Sequence, residues 1–450
     1  MIGNELPLIV VFLLLGSMAV LAFIVSGYDI LHPFTIVSSV MAFSALLSVM
    51  APEAWHISIS FLATIVVFVA VLCFGAGCLL SDWCIRSCKA VSGSWERKRY
   101  YISNSVIFCI CIVLLIFTYF NFWEVYQASL KLGNQGDYMG MISVVRRAVE
   151  NSEYSFSRFY SYRNQIAQVL VYYSIFVFFW NVFLNKTSSI LAGIKYFLPL
   201  VFYLPLLILS GARIGLFCMV VFMIVSGCIL YQKSCEFDFS SKKKSLYFAF
   251  GGGACFLVFF LLFGFFTGKV TLPTQNPFMA SGRNPFEIIC HYGGLSLPAL
   301  SVYLESTFLE TPYLGASTFH AVYHKLISLG MEQTDVLLNF FHFLPFTNFD
   351  GVTTNVYTAL RPYIQDYGFW GTCLVMAILG MVYTAMYNYV RLYAKNPVWI
   401  VVYANIAWPL VWIMNEDGFF KGIVQTQTIY FILLIFLMDW VFSKLYHREM

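Results

Sequence analysis

The residues able to do chemistry in this sequence are a set of arginines and a few carboxylates placed between long apolar runs. Arg146, Arg147, Arg158, Arg163, Arg213, Arg283 and Arg361 lie outside those runs or at their ends. A guanidinium stays charged at any relevant pH and offers a donor fork that fits phosphate oxygens. Several of them beside an apolar layer suit a diphosphate head group carried on a lipid tail. Arg213 is the most pointed case. It closes Ser210-Gly211-Ala212-Arg213, a tight turn between two apolar runs, where a lone charge points into the mouth of a bundle. For Arg146, Arg147 and Arg158 a plainer reading stands beside this one: solvated charge, or partners for Glu150, Glu153 or Asp366.

A second stretch runs from Thr354 to Gly368, TNVYTALRPYIQDYG. Helical throughout, it would put Asn355, Thr358 and Pro362 on one face and Arg361 near Gln365. Pro362 is expected to start a new helix, with Asp366 in its first turns and Gly368 at the entry to the next apolar run. A carboxylate near an arginine can accept or orient the proton of an attacking hydroxyl. An ion pair within an interfacial aromatic belt is the alternative.

Metal and nucleotide chemistry find less support. Asn348-Phe349-Asp350 and Asn415-Glu416-Asp417 are the nearest acidic groupings, and both are thin as metal sites. His291, His320, His324 and His342 fall in one long polar segment; only His320 and His324 have i, i+4 spacing, without an identifiable third ligand. Cys84 and Cys88 have no matching second pair. The glycine triplet 251–253 sits in an apolar run and reads as helix packing, not as a phosphate loop. No metal and no cofactor is expected.

The elements that must carry these residues follow from composition. Of 450 residues, 60% are apolar and only 11% charged, with a mean hydropathy of +0.77. A soluble chain is about a quarter charged, so a water-soluble particle of this size is excluded. The 46 Phe and 29 Tyr bring aromatic content to 19%, as membrane–water boundaries favour. Windows of about 20 apolar residues predict spans near 7–26, 31–50, 57–80, 102–122, 165–184, 195–211, 214–231, 246–267, 369–389, 397–414 and 422–442. The fold class expected is therefore an all-α, polytopic membrane protein of about eleven spans forming one membrane domain over 1–450. The N-terminus lacks a signal-peptide layout, so the first run is read as a span that stays. Most cysteines fall inside apolar runs and act as small hydrophobes.

Basic clusters orient the chain. Arg86, Lys89 and Arg97 to Arg99, then Lys242 to Lys244, Arg391 with Lys395, and Lys444 with Arg448 all fall on one side. The positive-inside rule makes that side cytoplasmic and turns the segments 123–164 and 269–368 outward. Within the second, residues 286–304 are long enough to tempt assignment as a span. Glu287, His291, Gly293-Gly294 and Pro298 favour an interfacial or re-entrant helix instead. The spans hold almost no ionisable residue near mid-membrane, although Asp439 lies near the end of the last. That weighs against an ion-driven carrier.

With these residues in place, the chain resembles the O-antigen polymerases, the Wzy type of oligosaccharide repeat-unit polymerase. Ser210-Gly211-Ala212-Arg213 is similar to the family's small-residue turn ending in arginine. Asn355-Val356-Tyr357-Thr358, Tyr363, Asp366-Tyr367-Gly368 and Gly371 are similar to its Asn-Val-Tyr-Thr…Asp-Phe-Gly…Gly signature, with Tyr367 in place of Phe. Gly282-Arg283-Asn284-Pro285 and His291-Tyr292-Gly293-Gly294 carry a weaker likeness. The resemblance implies a GT-C-like, metal-independent glycosyltransferase of the bacterial inner membrane, active on the periplasmic side. Donor and acceptor would be undecaprenyl-diphosphate-linked glycans, and a chain-length regulator in the membrane a possible partner. No nucleic-acid partner is implied. Arg213, Arg361 and Asp366 would be catalytic, with His291 second to Asp366 as base. Arg283, Arg163, Asn355, Tyr292 and Tyr363 would bind substrate. The rivals are an O-antigen ligase-like transferase, a polysaccharide flippase or transporter, and a membrane scaffold.

Overall fold

A computed structural model describes residues 2–87, 100, 102–134, 136, 138, 140–150, 153–185, 193–211, 213–266, 285–306, 311, 314–330 and 347–449. Helices α1 (Ile2–Val25), α2 (Pro33–Val49), α3 (Phe61–Ser87), α4 (Asn104–Lys131), α5 (Met141–Glu150) and α6 (Arg158–Trp180) come first. They are followed by α7 (Leu198–Leu209), α8 (Arg213–Ser234), α9 (Phe239–Phe266), α10 (Pro285–Gly294), α11 (Ser296–Glu305) and α12 (His320–Ser328). A two-stranded antiparallel hairpin, β1 (Thr347–Phe349) and β2 (Val352–Thr354), precedes α13 (Leu360–Asn388). The chain ends in α14 (Val398–Ile406), α15 (Trp408–Trp412) and α16 (Thr426–Glu449).

Among the described residues, eight helices are long and apolar enough to cross a membrane: Leu6–Val25, Phe61–Ile85, Asn104–Lys131, Arg158–Asn185, Arg213–Ser234, Phe239–Leu262, Leu360–Tyr393 and Thr426–Lys444. Shorter apolar helices cover Pro33–Val49, Ile194–Leu209 and Val398–Trp412. In the Phe239–Leu262 and Thr426–Lys444 helices only 11% of the apolar window is buried within the protein. So much bare hydrocarbon would drive association in water, whereas lipid covers it. This is a multi-pass, helical membrane protein.

The boundaries depart from expectation in three places. The fourth and fifth spans are longer than their hydropathy cores, because α4 continues to Lys131 and α6 begins at Arg158. Lys242 to Lys244 are not in a loop; they form the first turns of α9. Residues 286–304 make two short helices broken at Leu295, neither long enough to span.

The chain divides into two compact units. One holds Met1–Ser92, Thr274–Tyr393 and Ile406–Gln425; the other holds Gly93–Pro273, Ala394–Asn405 and Thr426–Met450.

In the first unit the pairing of α3 with α13 rests on glycines. A Cβ on Gly77 would collide with the backbone carbonyl of Ala377, and one on Gly380 with the carbonyl of Phe74. Cys78 Sγ donates to the Gly380 carbonyl across the same seam. Small residues let two backbones approach this closely, which is how helices gain packing energy where lipid supplies no hydrophobic drive. The glycine triplet of α9 contributes less: Gly252 meets Ile224, while Gly251 and Gly253 face open space. A comparable seat holds α10 on α2. A Cβ on Gly294 would lie 2.8 Å from the Leu47 carbonyl carbon, and Ser44 and Ser48 donate to the carbonyls of Gly293 and Gly294 at 2.6 and 2.5 Å.

The C-terminal end of α13 carries a buried polar cluster. Asp29 is fully buried and accepts hydrogen bonds from Tyr387 Oη at 2.6 Å and Arg391 Nη1 at 2.9 Å. Asp82 accepts from Asn388 at 2.7 Å and lies 3.3 Å from His32 Nε2. Arg391, read from sequence as part of a basic cluster with Lys395, is also the counter-ion of a buried carboxylate.

The second unit packs aromatic rings at its helix contacts. Tyr172 stacks on Phe222 at 4.1 Å, Tyr173 on Phe442 at 5.3 Å, and Phe156 on Tyr160 at 4.0 Å. Helix α5 lays Met141, Ile142 and Val145 into a cluster with Val125 and Leu209.

Replacing Gly380 with valine forces α3 and α13 apart and is expected to cost at least about 1–3 kcal/mol, read as a lower melting temperature in detergent. Gly251→Ala, where a Cβ meets nothing, should leave that temperature nearly unchanged. Arg391→Met strands Asp29 without a counter-charge and should cost about 3–5 kcal/mol in the same assay.

Candidate functional site

The first unit contains a half-open cavity of about 100 Å³ lined by Ser317, His320, Asn355, Tyr357, Thr358, Arg361, Pro362, Glu416, Asp417 and Lys421. Three pieces of chain build it, and each is held by identifiable bonds.

The wall from Thr354 to Arg361 is shaped by hydroxyls. Thr354 Oγ1 accepts the amide of Val356 at 3.0 Å, and Thr358 Oγ1 accepts that of Leu360 at 3.3 Å. Such side-chain bonds compete with helix and favour a turn followed by a helix start. Helix α13 accordingly begins at Leu360, so Asn355 and Thr358 lie in the preceding loop and share no helical face. The same helix breaks at Gly368, whose φ of 65° and ψ of −169° suit glycine alone. The expected entry point to the apolar run is thus a kink.

Arg361 is only 8% exposed. Its guanidinium carbon lies 5.2 Å from the Tyr303 ring centroid and 4.8 Å from that of Tyr357, a double cation–π contact. Tyr357 is fixed in turn by a 3.0 Å hydrogen bond between its hydroxyl and Thr347 Oγ1. Burial raises the pKa of the Tyr303 phenol, which stays neutral beneath the cation. No ion pair closes on Arg361 among the described residues, and its Nε has no hydrogen-bond partner.

The opposite wall is the turn from Asn415 to Lys421. Asp417 is 4% exposed. Its Oδ1 accepts three hydrogen bonds: from Tyr363 Oη at 2.7 Å and from the amides of Phe419 at 2.9 Å and Phe420 at 3.2 Å. Its Oδ2 is buried and accepts none. Gly418 lets the turn press against Trp408, where a Cβ would lie 2.7 Å from the indole ring. Burial pushes the Asp417 carboxyl up to about 6, against the hydrogen bonds, which pull it down. At the rim, Glu416 is paired with Lys421.

The third wall is docked by Asp366. Its two oxygens accept the amides of Ser317 at 3.2 Å and Thr318 at 2.6 Å, and Gln365 Oε1 accepts from the Ser317 hydroxyl at 3.0 Å. Asp366 thus clamps the segment carrying Ser317 and His320 and is not itself on the cavity wall.

Among the residues singled out from sequence, Arg361 and Asn355 line the cavity, and Tyr363 stands behind it as the support of Asp417. Arg361 has neither a carboxylate partner nor a helical neighbour role toward Asp366. His291 and Tyr292 stack on each other at 5.3 Å beside the Gly293-Gly294 seat, away from the lining. Arg213 and Arg163 belong to the second unit. Arg213 opens α8, 8% exposed and 4.4 Å from the Phe260 ring centroid, after Gly211 at φ 65°. Arg163 is committed to Glu124 at 2.7 Å and to Asn121 at 2.6 Å. Arg146 packs its side chain beside Gly211, while Arg147 and Arg158 are exposed. Arg283 and Ala212 lie outside the described residues, as do Cys88 and His342.

Asp417 is the residue that sequence reasoning passed over. Asn415-Glu416-Asp417 was weighed only as a metal site. The better signal was an acidic turn between two apolar runs, with a glycine after the aspartate and Lys421 close behind. No grouping of three or more metal-ligating side chains occurs among the described residues.

In its folded state Asp417 holds a proton more tightly than the unfolded chain, whose carboxyl titrates near 3.8. Its contribution to stability is therefore largest at acid pH and is lost as pH rises from about 4 to about 6, by about 3 kcal/mol at 1.36 kcal/mol per pKa unit. Asp417→Asn keeps an oxygen for the three donors and removes the charge. The variant should lack this slope and match or exceed the parent's stability above pH 7 in detergent unfolding. Comparison of the chain with protein-family models, curated proteins and solved structures finds no match.

Proposed function

We propose that this chain is a membrane glycosyltransferase that polymerises undecaprenyl-diphosphate-linked oligosaccharide repeat units into a surface polysaccharide of the O-antigen kind. The observation that carries the reading is the cavity in which a buried arginine closes no ion pair and a buried carboxylate oxygen accepts no hydrogen bond among the described residues. Transfer of a glycan from a lipid diphosphate needs a fixed cation where the leaving group gains charge, and Arg361 supplies one without reorganisation. It also needs a polar surface for an incoming hydroxyl, for which Asn355, Thr358 and Asp417 line the same space.

The site stands at the start of α13, ahead of the Gly368 kink, where the chain turns from polar segments into an apolar helix. A lipid-anchored substrate must meet its enzyme at such a boundary. In this reading the eight long helices and three shorter ones give eleven spans. The basic clusters face the cytoplasm, and the cavity opens to the periplasm of a bacterial inner membrane. The architecture would be GT-C-like. The likeness of Asn355-Val356-Tyr357-Thr358 and Asp366-Tyr367-Gly368 to the polymerase signature acquires a physical sense: these residues shape and clamp the walls around Arg361. Arg213, at the start of α8, is assigned to the lipid-diphosphate carriers as well.

Deleting the gene should convert a polysaccharide ladder on a gel into a single attached repeat unit. Loss of all attached units would instead indicate a ligase or a flippase. Complementation with Arg361→Ala should leave the ladder absent at normal protein abundance, a loss of about 10²–10³-fold for one stabilising donor. Arg361→Lys, which keeps charge but not the fork or the stacking, should restore only part of it. Long chains from an Arg213→Ala strain would remove that residue from the scheme.

A further inference from the structure

We propose that Asp417 is the carboxylate that accepts the proton of the attacking sugar hydroxyl, an inference that rests on the glycan-polymerising reading of the same cavity. The division of labour between its oxygens is the starting point. Oδ1 is held by Tyr363 and the amides of Phe419 and Phe420, so the carboxylate cannot rotate freely. Oδ2 is left buried and unbonded on a residue that lines the cavity. A buried acceptor without a donor is costly to maintain, and a substrate hydroxyl is a donor of the right kind.

The other carboxylates of the region are spent. Asp366 gives both oxygens to backbone amides, and Glu416 is paired with Lys421. The charged and titratable groups facing Asp417 are Arg361 and Tyr363 from α13, His320 from α12, and Glu416 and Lys421 from its own turn. Arg361 sits on the same cavity without closing an ion pair on Asp417, so the two charges remain available for opposite ends of one reaction. The carboxyl's raised pKa of about 6 makes it a stronger base than an exposed aspartate while leaving it ionised at neutral pH.

The acceptor oxygen forms its bond to the anomeric carbon of the donor glycan as that carbon's bond to the diphosphate oxygen breaks. The hydroxyl proton passes to Asp417 Oδ2. The bonding electron pair leaves with the lipid diphosphate, whose added charge is met by Arg361. Asp417 then releases its proton to water through the half-open cavity. Tyr363 is a positioning residue here, since it holds the carboxylate and does not line the cavity.

The test uses membranes from the deletion strain expressing each full-length variant, supplied with lipid-diphosphate-linked repeat units extracted from that same strain. Elongation is followed on gels across pH 5 to 8. Asp417→Asn should lower the elongation rate by about 10²–10⁴-fold, the range for general base catalysis, at unchanged protein abundance. The parent rate should climb with pH and level off above about 6. Tyr363→Phe removes a hydrogen bond that favours the charged form, so the rising limb should move to higher pH. Asp417→Asn elongating at the parent rate while Arg361→Ala does not would overturn the role of Asp417 and leave the polymerase reading standing. An intact ladder in the deletion strain itself would overturn that reading. If Asp417→Asn fails to accumulate, the Tyr363→Phe profile decides alone, and an unshifted limb refutes the proposal.

Discussion

Two opposite charges share a small buried space without neutralising each other, and the first unit is built around keeping them so. Left to relax, an arginine and an aspartate at 8% and 4% exposure would gain by closing into a pair, because the desolvation of each is otherwise unrepaid. Each is instead restrained by its own neighbours. Tyr303 and Tyr357 bracket the guanidinium; Tyr363 and two amides hold the carboxylate by one oxygen. The cost of this separation is borne by packing elsewhere. In the proposed reading, the arginine meets the anionic end of the ligand and the carboxylate its hydroxyl.

The packing that sustains it is mostly backbone against backbone. Gly77 and Gly380 bring α3 and α13 together closely enough that a single methyl at either would strike a carbonyl oxygen. Gly294 does the same for α10 on α2, and Gly293 seats against the Leu47 side chain, with two serine hydroxyls bonded across the seam. In a membrane these contacts replace the hydrophobic drive that lipid removes. They also give α13 a fixed axis, so that the polar groups at its two ends keep their places. At one end stands the cavity; at the other, Asp29 accepts hydrogen bonds from Arg391 and Tyr387. The two ends differ in pairing: Asp29 closes an ion pair with Arg391, whereas Arg361 and Asp417 share a cavity without closing one.

Much of the fold was legible because membrane helices are written in composition and window hydropathy, and each predicted span holds a helix among the described residues. The ends of those helices were not, since α4 and α6 extend through polar residues such as Glu124 and Arg163 that pair with each other once folded. Hydropathy is blind to that compensation. The packing glycines were legible only in part. The conspicuous triplet 251–253 faces mostly open space, while the isolated Gly77 and Gly380 govern the tightest contact. Spacing along one helix does not reveal which partner it meets.

The site divides in the same manner. Arg361 stood out as a cation near a carboxylate ahead of an apolar run, and Gly368 as the entry to that run, although its φ of 65° was not foreseen. Asp366 and Asp417 were not distinguishable by type or by flanking sequence. Nearness to Arg361 along the chain favoured Asp366, yet the fold turns that carboxylate toward the amides of Ser317 and Thr318. Asp417, some fifty residues on, arrives at the cavity because Gly418 lets its turn settle against Trp408 and because Tyr363 reaches across to meet it. What separates the two acids is the oxygen left over after the fold has taken what it needs. The hydrogen bonds of the folded chain leave one on Asp417 and none on Asp366.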